Sequence, residues 1–336
     1  MRPSIEARRH KVWLNGVFAV VLLLLSFKKW QRCRNSAWPP LDAGSWHYPC
    51  IVPTPAGLQL GRWREWEFSQ GPVPRRLWQT YKSRRPPKDG MDAYWSWHEL
   101  NPGLQTIIHD DAQAHKCIKH LYGDEVSQIY AAFPLSVMRA DFWRYAILYA
   151  FGGIYADIDV QALRPLDQWL PPEPDGVHWP PNNDTHIAPS WSDCTFIVGL
   201  ENDLHFCQWT IASTRGHPAL RATIELILDL ARNGIDTRNP HFVHKHTGPA
   251  VWTQALRGLM SMPSAPAASI LHAAWEPESL ASHTRLELGM CLTGKAYFET
   301  QYARNLYGSQ NFKGDYKSWG KEARELHNQT VSVSTR

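Results

Sequence analysis

The stretch Arg139–Val160, RADFWRYAILYAFGGIYADIDV, constrains the fold more than any other part of this chain. Its first half lacks Gly and Pro and reads as a helix. Pro134 opens that pattern, Leu135–Ala150 carries it, and Gly152-Gly153 closes it. Beyond the glycines, Ile154–Val160 is a short β-branched run that reads as a strand. On the helix, Asp141 and Arg144 are three residues apart, so they share a face and point toward the strand that follows. On the strand, alternation sets Tyr155, Asp157 and Asp159 on one face and Ile154, Ile158 and Val160 on the other.

Two carboxylates at the carboxyl end of a parallel strand stand where open α/β sheets bind ligands. They repel each other and are hard to desolvate unless a cation occupies the gap. Carboxylate oxygens suit hard divalent ions, Mg²⁺ or Mn²⁺, which keep open positions for substrate phosphates. An isolated Asp-x-Asp is common and usually faces solvent. Here it is embedded in an apolar strand behind a helix that carries its own Asp and Arg, which favours a metal site at Asp157 and Asp159.

The same alternation of short strands and helices extends over much of the chain. Arg75–Tyr81, Leu104–His109 and Cys194–Leu200 read as strands, and Asp92–Leu100, Asp110–Tyr122, His217–Ala231 and Pro249–Met260 as helices. Gly123 is a stop signal for the second helix, and Asp110 is placed to cap its start. The expected fold class is therefore α/β with a largely parallel central sheet. No internal repeat is visible, and Pro171–Pro181 is a proline-dense loop.

At the N-terminus, Val12–Phe27 runs for sixteen residues without a charge, flanked by cations on both sides. That is close to the shortest span that crosses a bilayer, and no small-residue cleavage site follows it. The expected organisation is a cytoplasmic tail 1–11, a signal-anchor helix 12–27, a stem 28–74, a catalytic domain 75–325 and a tail 326–336. The cations before and after the run nearly balance, so orientation rests on the large body that follows, which is expected in the lumen as a single-pass type II protein. The sequons at Asn183 and Asn328 fit that side. Lys+Arg 35 against Asp+Glu 31 leaves no broad basic surface, so nucleic acid is excluded as a partner. The six cysteines form no CxxC pair, which argues against a zinc site and leaves their pairing open.

The block ADFWRYAILYAFGGIYADIDV resembles the signature of glycosyltransferase family 32, the DXD sugar-nucleotide transferases. The likeness extends over about residues 72–320 and is nearest to the fungal branch that adds an initiating α-1,6-mannose to N-glycans. Pro74–Tyr81 resembles the family's opening strand, and Asn101-Pro102 its first turn. Phe206–Ile211 with Gly216-His217-Pro218, Thr247-Gly248-Pro249, and Tyr307–Gln310 resemble later blocks. The resemblance implies a GT-A fold, GDP-mannose as donor, retention at the anomeric carbon, Mn²⁺ as cofactor and an N-glycan or glycolipid acceptor. It implies a Golgi membrane location and association with other Golgi transferases.

Carried over by position, Asp157 and Asp159 would hold the metal and, with Arg144, do the catalysis. Leu77, Gln79, Thr80, Asp141, Arg144, Tyr155 and Asp157 would contact the donor, joined by Asn305 and Ser309. Asn305 stands where the family often has His; an amide cannot become cationic. Glu201, Asp203 and Trp209 are the acceptor-side candidates. Trp191, Trp209 and Trp252 are candidates for sugar stacking, against core packing for each. His241, His244 and His246 read as loop or pocket polar groups before the Thr247-Gly248-Pro249 turn, rather than as a metal cluster. Mannosyl transfer to inositolphosphoceramide, and a catalytically silent sugar-binding protein, are the competing readings.

Overall fold

The computed structural model describes residues 66–87, 90–169, 194–199, 201, 205–239, 241–259, 290–293 and 303–305. The segment 12–27, both sequons, Trp191, Asp203, Ser309 and the block 307–319 lie outside them, as does the side chain of Asn305. Among the described residues no helix is long and apolar enough to cross a membrane.

In chain order the elements are β1 (Arg76–Thr80), α1 (Met91–Leu100), β2 (Gln105–His109), α2 (Asp111–Ala132), α3 (Ser136–Phe151), β3 (Gly153–Ala156) and β4 (Val160–Ala162). They continue with β5 (Phe196–Gly199), β6 (Thr210–Ser213), α4 (Pro218–Arg232), α5 (Phe242–His246), α6 (Pro249–Leu259), β7 (Met290–Thr293) and β8 (Ala303–Asn305). Six strands form one sheet in the order β2-β1-β3-β6-β5-β7, and β4 pairs with β8 in a separate ribbon. β1 runs parallel to β2 and β3, and β5 parallel to β7, while β6 is antiparallel to both its neighbours. The sheet is thus mixed.

The sheet buries both faces, as a β-rich layer between helices must. Leu77, Ile154, Ala212 and Ile197 join a cluster with Trp97 of α1 and Trp169. Trp78 and Tyr155 point to the opposite face, where each ring meets Trp143 of α3 edge-on. Trp143 is fully buried there, so its truncation to Ala would cost about 3–5 kcal/mol.

Two sequence signals act locally as expected. Asp110 caps α2, accepting from Gln113 N at 2.8 Å while the Gln113 side chain returns the bond to Asp110 N, a full capping box. Gly152 and Gly153 have φ of 65° and 109°, and a Cβ on Gly153 would lie 2.6 Å from Arg76 O. No other residue joins α3 to β3 so tightly.

Two expectations need correction. Gly123 does not stop a helix: α2 resumes beyond it and runs to Ala132, with Gly123 as a non-helical kink at φ 84°. Nor do Tyr155, Asp157 and Asp159 share one strand. β3 ends at Ala156, residues 158–159 turn, and the chain restarts as β4 in the other sheet. The reason is visible in the hydrogen bonds. Asp157 N still reaches Trp209 O of the main sheet at 2.9 Å, but Asp157 O accepts from Val160 N at 3.0 Å and closes a turn. The segment 66–74, grouped with the stem from composition, also packs: Trp66 and Val73 are buried, and Ser69 N donates to Arg215 O.

A disulfide joins Cys194 to Cys291, tying the start of β5 to β7. Cys207 is a buried free thiol.

Candidate active site

The site is built around one guanidinium. From α3, Arg144 sends Nη1 to within 2.9 Å of Asp141 Oδ1, one turn back, and Nη2 to 3.2 Å from Asp157 Oδ1 just past β3. The double-glycine turn makes this possible, because it folds the end of α3 back alongside the strand that follows. Tyr155 donates its hydroxyl to the same Asp157 oxygen at 2.5 Å, and the guanidinium lies over the Tyr155 ring at 5.0 Å. Asp157 Oδ2 has no protein partner among the described residues, and the side chain keeps 28% of its surface exposed. Asp159 is also partly exposed.

Burial works to lower Arg144, but Asp157, Tyr155 and Asp141 more than offset it, and the guanidinium is held well above its ordinary range. Burial pushes the Asp141 carboxyl up to about 7, against the pull of Arg144 and the Thr247 hydroxyl. Burial and the Asp157 carboxylate together push the Tyr155 phenol up. Tyr155 is therefore a hydrogen-bond donor and not an anion.

Behind this lies a layer that sequence reasoning missed. Thr247 donates to Asp141 Oδ2 at 3.0 Å, Gln208 Nε2 lies 3.5 Å from Asp141 Oδ1, and Tyr145 donates to Gln208 Oε1 at 2.7 Å. Thr247 follows α5, so His244 and His246 lie on a short helix that delivers it, with His241 at its N-cap. The signal for these residues lay in blocks 206–211 and 247–249, read as family likeness without roles.

The other expected residues are dispersed. Leu77 is in the core cluster, away from solvent. Gln79 is fully buried behind the turn, donating to Asp157 O at 3.3 Å, with its Oε1 unpartnered. Thr80 donates to His109 O at the sheet edge. Trp209 contributes its carbonyl to Asp157 N and is 8% exposed, and Trp252 stacks on Tyr145 in the core. Neither ring presents a stacking face. Glu201 is partly exposed and bonds His205 through the backbone. Asn305 enters by its backbone, opposite Val160 in the ribbon that continues the carboxylate turn.

Asp157 and Asp159 fit a hard divalent cation. Among the described residues no cluster of three or more His, Cys, Asp or Glu gathers into a closed shell. The protein share is then two carboxylates, one with an oxygen left over, and phosphate and water oxygens complete the set.

Residues 87–174 match the family model described as a glycosyltransferase sugar-binding region containing a DXD motif. An initiation-specific α-1,6-mannosyltransferase of Candida albicans is 34% identical over 178 residues, 47% of this chain and 43% of that protein. The Schizosaccharomyces pombe protein of the same description is 32% identical over 200 residues, 55% of this chain and 48% of its own. An inositol phosphoceramide mannosyltransferase of Schizosaccharomyces pombe is 29% identical over 178 residues, 53% of this chain and 43% of that one. The chain thus spans under half the length of these relatives. Among solved structures, the PaToxG glycosyltransferase aligns at 19% identity over 65% of this chain and 79% of its own, with a TM-score of 0.39. With Asp157-Ile158-Asp159 inside the matched region, residues 87–174 of this chain are similar to the glycosyltransferase sugar-binding region that contains a DXD motif, and the wider chain is similar to mannosyltransferases.

Proposed function

We propose that this protein is a retaining mannosyltransferase of GT-A type that moves mannose from GDP-mannose to an N-glycan acceptor in α-1,6 linkage. Its body would lie in the Golgi lumen, anchored through residues 12–27. The observation that carries the reading is the Asp141–Arg144–Asp157 chain, which sets a buried cation against the partly exposed carboxylate of the DXD turn. The mannosyltransferase relatives support the sugar.

In this reading Asp157 and Asp159 would hold Mn²⁺, which would supply positive charge to a diphosphate leaving group. Arg144, fixed by two carboxylates before any ligand arrives, presents a preorganised positive field to the same group. Tyr155 keeps its proton on Asp157 Oδ1 and so holds that carboxylate's other oxygen toward the ligand. Asp141, almost wholly buried, orients Arg144 and Gln208. The acceptor hydroxyl attacks from the face the donor leaves, and the departing phosphate takes its proton.

The inositol phosphoceramide relative supports a second acceptor, an inositol-bearing lipid. Both are tested together by incubating the full chain with GDP-mannose and Mn²⁺ and either oligomannose N-glycan or inositolphosphoceramide. Product appearing with the glycan carries the reading, and product with the lipid alone transfers it to the second acceptor. No transfer to either, with several sugar nucleotides tried, overturns it.

A further inference from the structure

The hydrogen-bond layer around Asp141 contains one member that differs from the rest. Asp141, Arg144, Tyr145 and Thr247 are all buried, while Gln208 is partly exposed. The strand register explains where it stands. Ala156 pairs with Thr210, and Asp157 N bonds Trp209 O, so Gln208 occupies the next level beyond the carboxylate, beside the turn. It is held there from two sides. Tyr145 donates to Oε1 at 2.7 Å, and Nε2 approaches Asp141 Oδ1 at 3.5 Å. Because Asp141 also receives Arg144 and Thr247, its carboxylate fixes which end of the amide is NH₂.

A primary amide has two N–H donors and an oxygen with two lone pairs. Tyr145 uses one lone pair and Asp141 one N–H, which leaves one donor and one acceptor on the same amide. That doublet is the complement of a hydroxyl group, which donates once and accepts as well. The buried members of the network cannot do this reading, because they do not reach the surface.

We infer that Gln208 is the specificity-determining residue that reads one hydroxyl of the transferred sugar, with Tyr145 and Asp141 as positioning residues for its amide. The inference rests on the sugar-transfer reading of this site and adds the group that discriminates between sugars. It predicts a preference set by one hydroxyl, not by the nucleotide or the metal.

The test pairs protein variants with donors lacking single hydroxyls. The full-length parent, Gln208→Met and Tyr145→Phe are assayed by calorimetric binding and by transfer. The donors are GDP-mannose and its 2-, 3-, 4- and 6-deoxy analogues, all with Mn²⁺. Gln208→Met keeps length and volume, and thermal unfolding of each variant confirms its fold. In the parent one deoxy donor is expected to be weaker by about tenfold, the size of one lost hydrogen bond in a shielded site. In Gln208→Met that one penalty should vanish while the others stay, and in Tyr145→Phe it should shrink. A merely structural role would weaken all five donors alike.

If the parent transfers mannose and Gln208→Met retains every penalty, the inference falls and the transferase reading stands. If the parent binds the donors without transferring, the transferase reading falls, and the same comparison of dissociation constants still decides Gln208. If the parent binds none of them, both fall. A variant that unfolds is replaced by Gln208→Asn, whose shortened amide should lose the same single penalty.

Discussion

Asp157 meets Arg144 through one carboxylate oxygen, Oδ1, at 3.2 Å, and the Tyr155 hydroxyl takes that same oxygen. Oδ2 thereby stays without a protein partner among the described residues. The ion pair fixes the carboxylate without consuming it.

Stability should follow the buried half of this arrangement. Arg144→Met leaves the Asp141 carboxylate, 1% exposed, without its cation. Breaking a buried pair from one side is expected to destabilise by about 3 kcal/mol. Adding Asp141→Leu removes the stranded charge and should restore more than half of that loss, with no recovery of transfer. Urea unfolding of the two single variants and the double variant checks this. A double variant less stable than Arg144→Met would show that the charge is not what matters.

Asp159→Asn should leave the fold intact and reduce transfer on the order of a thousandfold, because charge stabilisation of the leaving group is lost. Asp157→Asn should lose as much activity and also some stability, since Arg144 and Tyr155 lose an anionic partner. Mn²⁺ affinity from proton relaxation, read beside the urea midpoint, separates the two effects. Equal transfer in EDTA and in Mn²⁺ would refute the metal's role.

His109 predicts a pH dependence unrelated to the active site. Burial between Trp78 and Trp143 lowers its imidazole from 6.5 to about 4, with Asp110 opposing and Arg84 adding to the effect. The unfolded chain therefore binds a proton at a pH where the folded chain refuses it. The stability concerned is fully present above 6.5 and is lost as the pH falls from there to about 4. The loss should be on the order of 3 kcal/mol, and His109→Phe should flatten that part of the curve. Urea midpoints at half-unit pH steps measure it.

The bond between Cys194 and Cys291 closes a loop of 97 residues. Replacing both by Ala should cost about 3–4 kcal/mol, somewhat below the loop-entropy value for that length. Comparing unfolding of the double variant with and without reductant checks it: reductant should cost the parent more stability than it costs the variant.

The sequence disclosed what depends on neighbours in the chain. The Asp110–Gln113 capping box, the glycine pair after α3 and the Asp141–Arg144 spacing are local, and the structure builds each as the residues suggest. What it withheld depends on distant partners. The end of β3 at Ala156 is set by where β6 stops pairing and β8 begins, fifty and nearly a hundred and fifty residues away. A run such as IYADIDV looks continuous because nothing in it marks the change of partner. β6 itself hid inside a motif block, and its antiparallel direction is what brings Gln208 to the carboxylate. The cysteine partners were equally invisible, since spacing carries no information about a closure this long. Arg144 shows both sides at once: its place beside Asp141 was read from the spacing, while its second partner Asp157 and its burial were not.

The turn after β3 has a mechanical side. Asp157 is bonded into the main sheet through Trp209, whereas Asp159 leads directly into β4, whose ladder is with β8. The two carboxylates are therefore mounted on different frames, joined across a seam one residue wide. A shift of the ribbon against the sheet would alter the gap between them while Arg144 kept its hold on Asp157. The spacing of the pair therefore depends on two separate ladders, one of them built by residues 303–305, far along the chain.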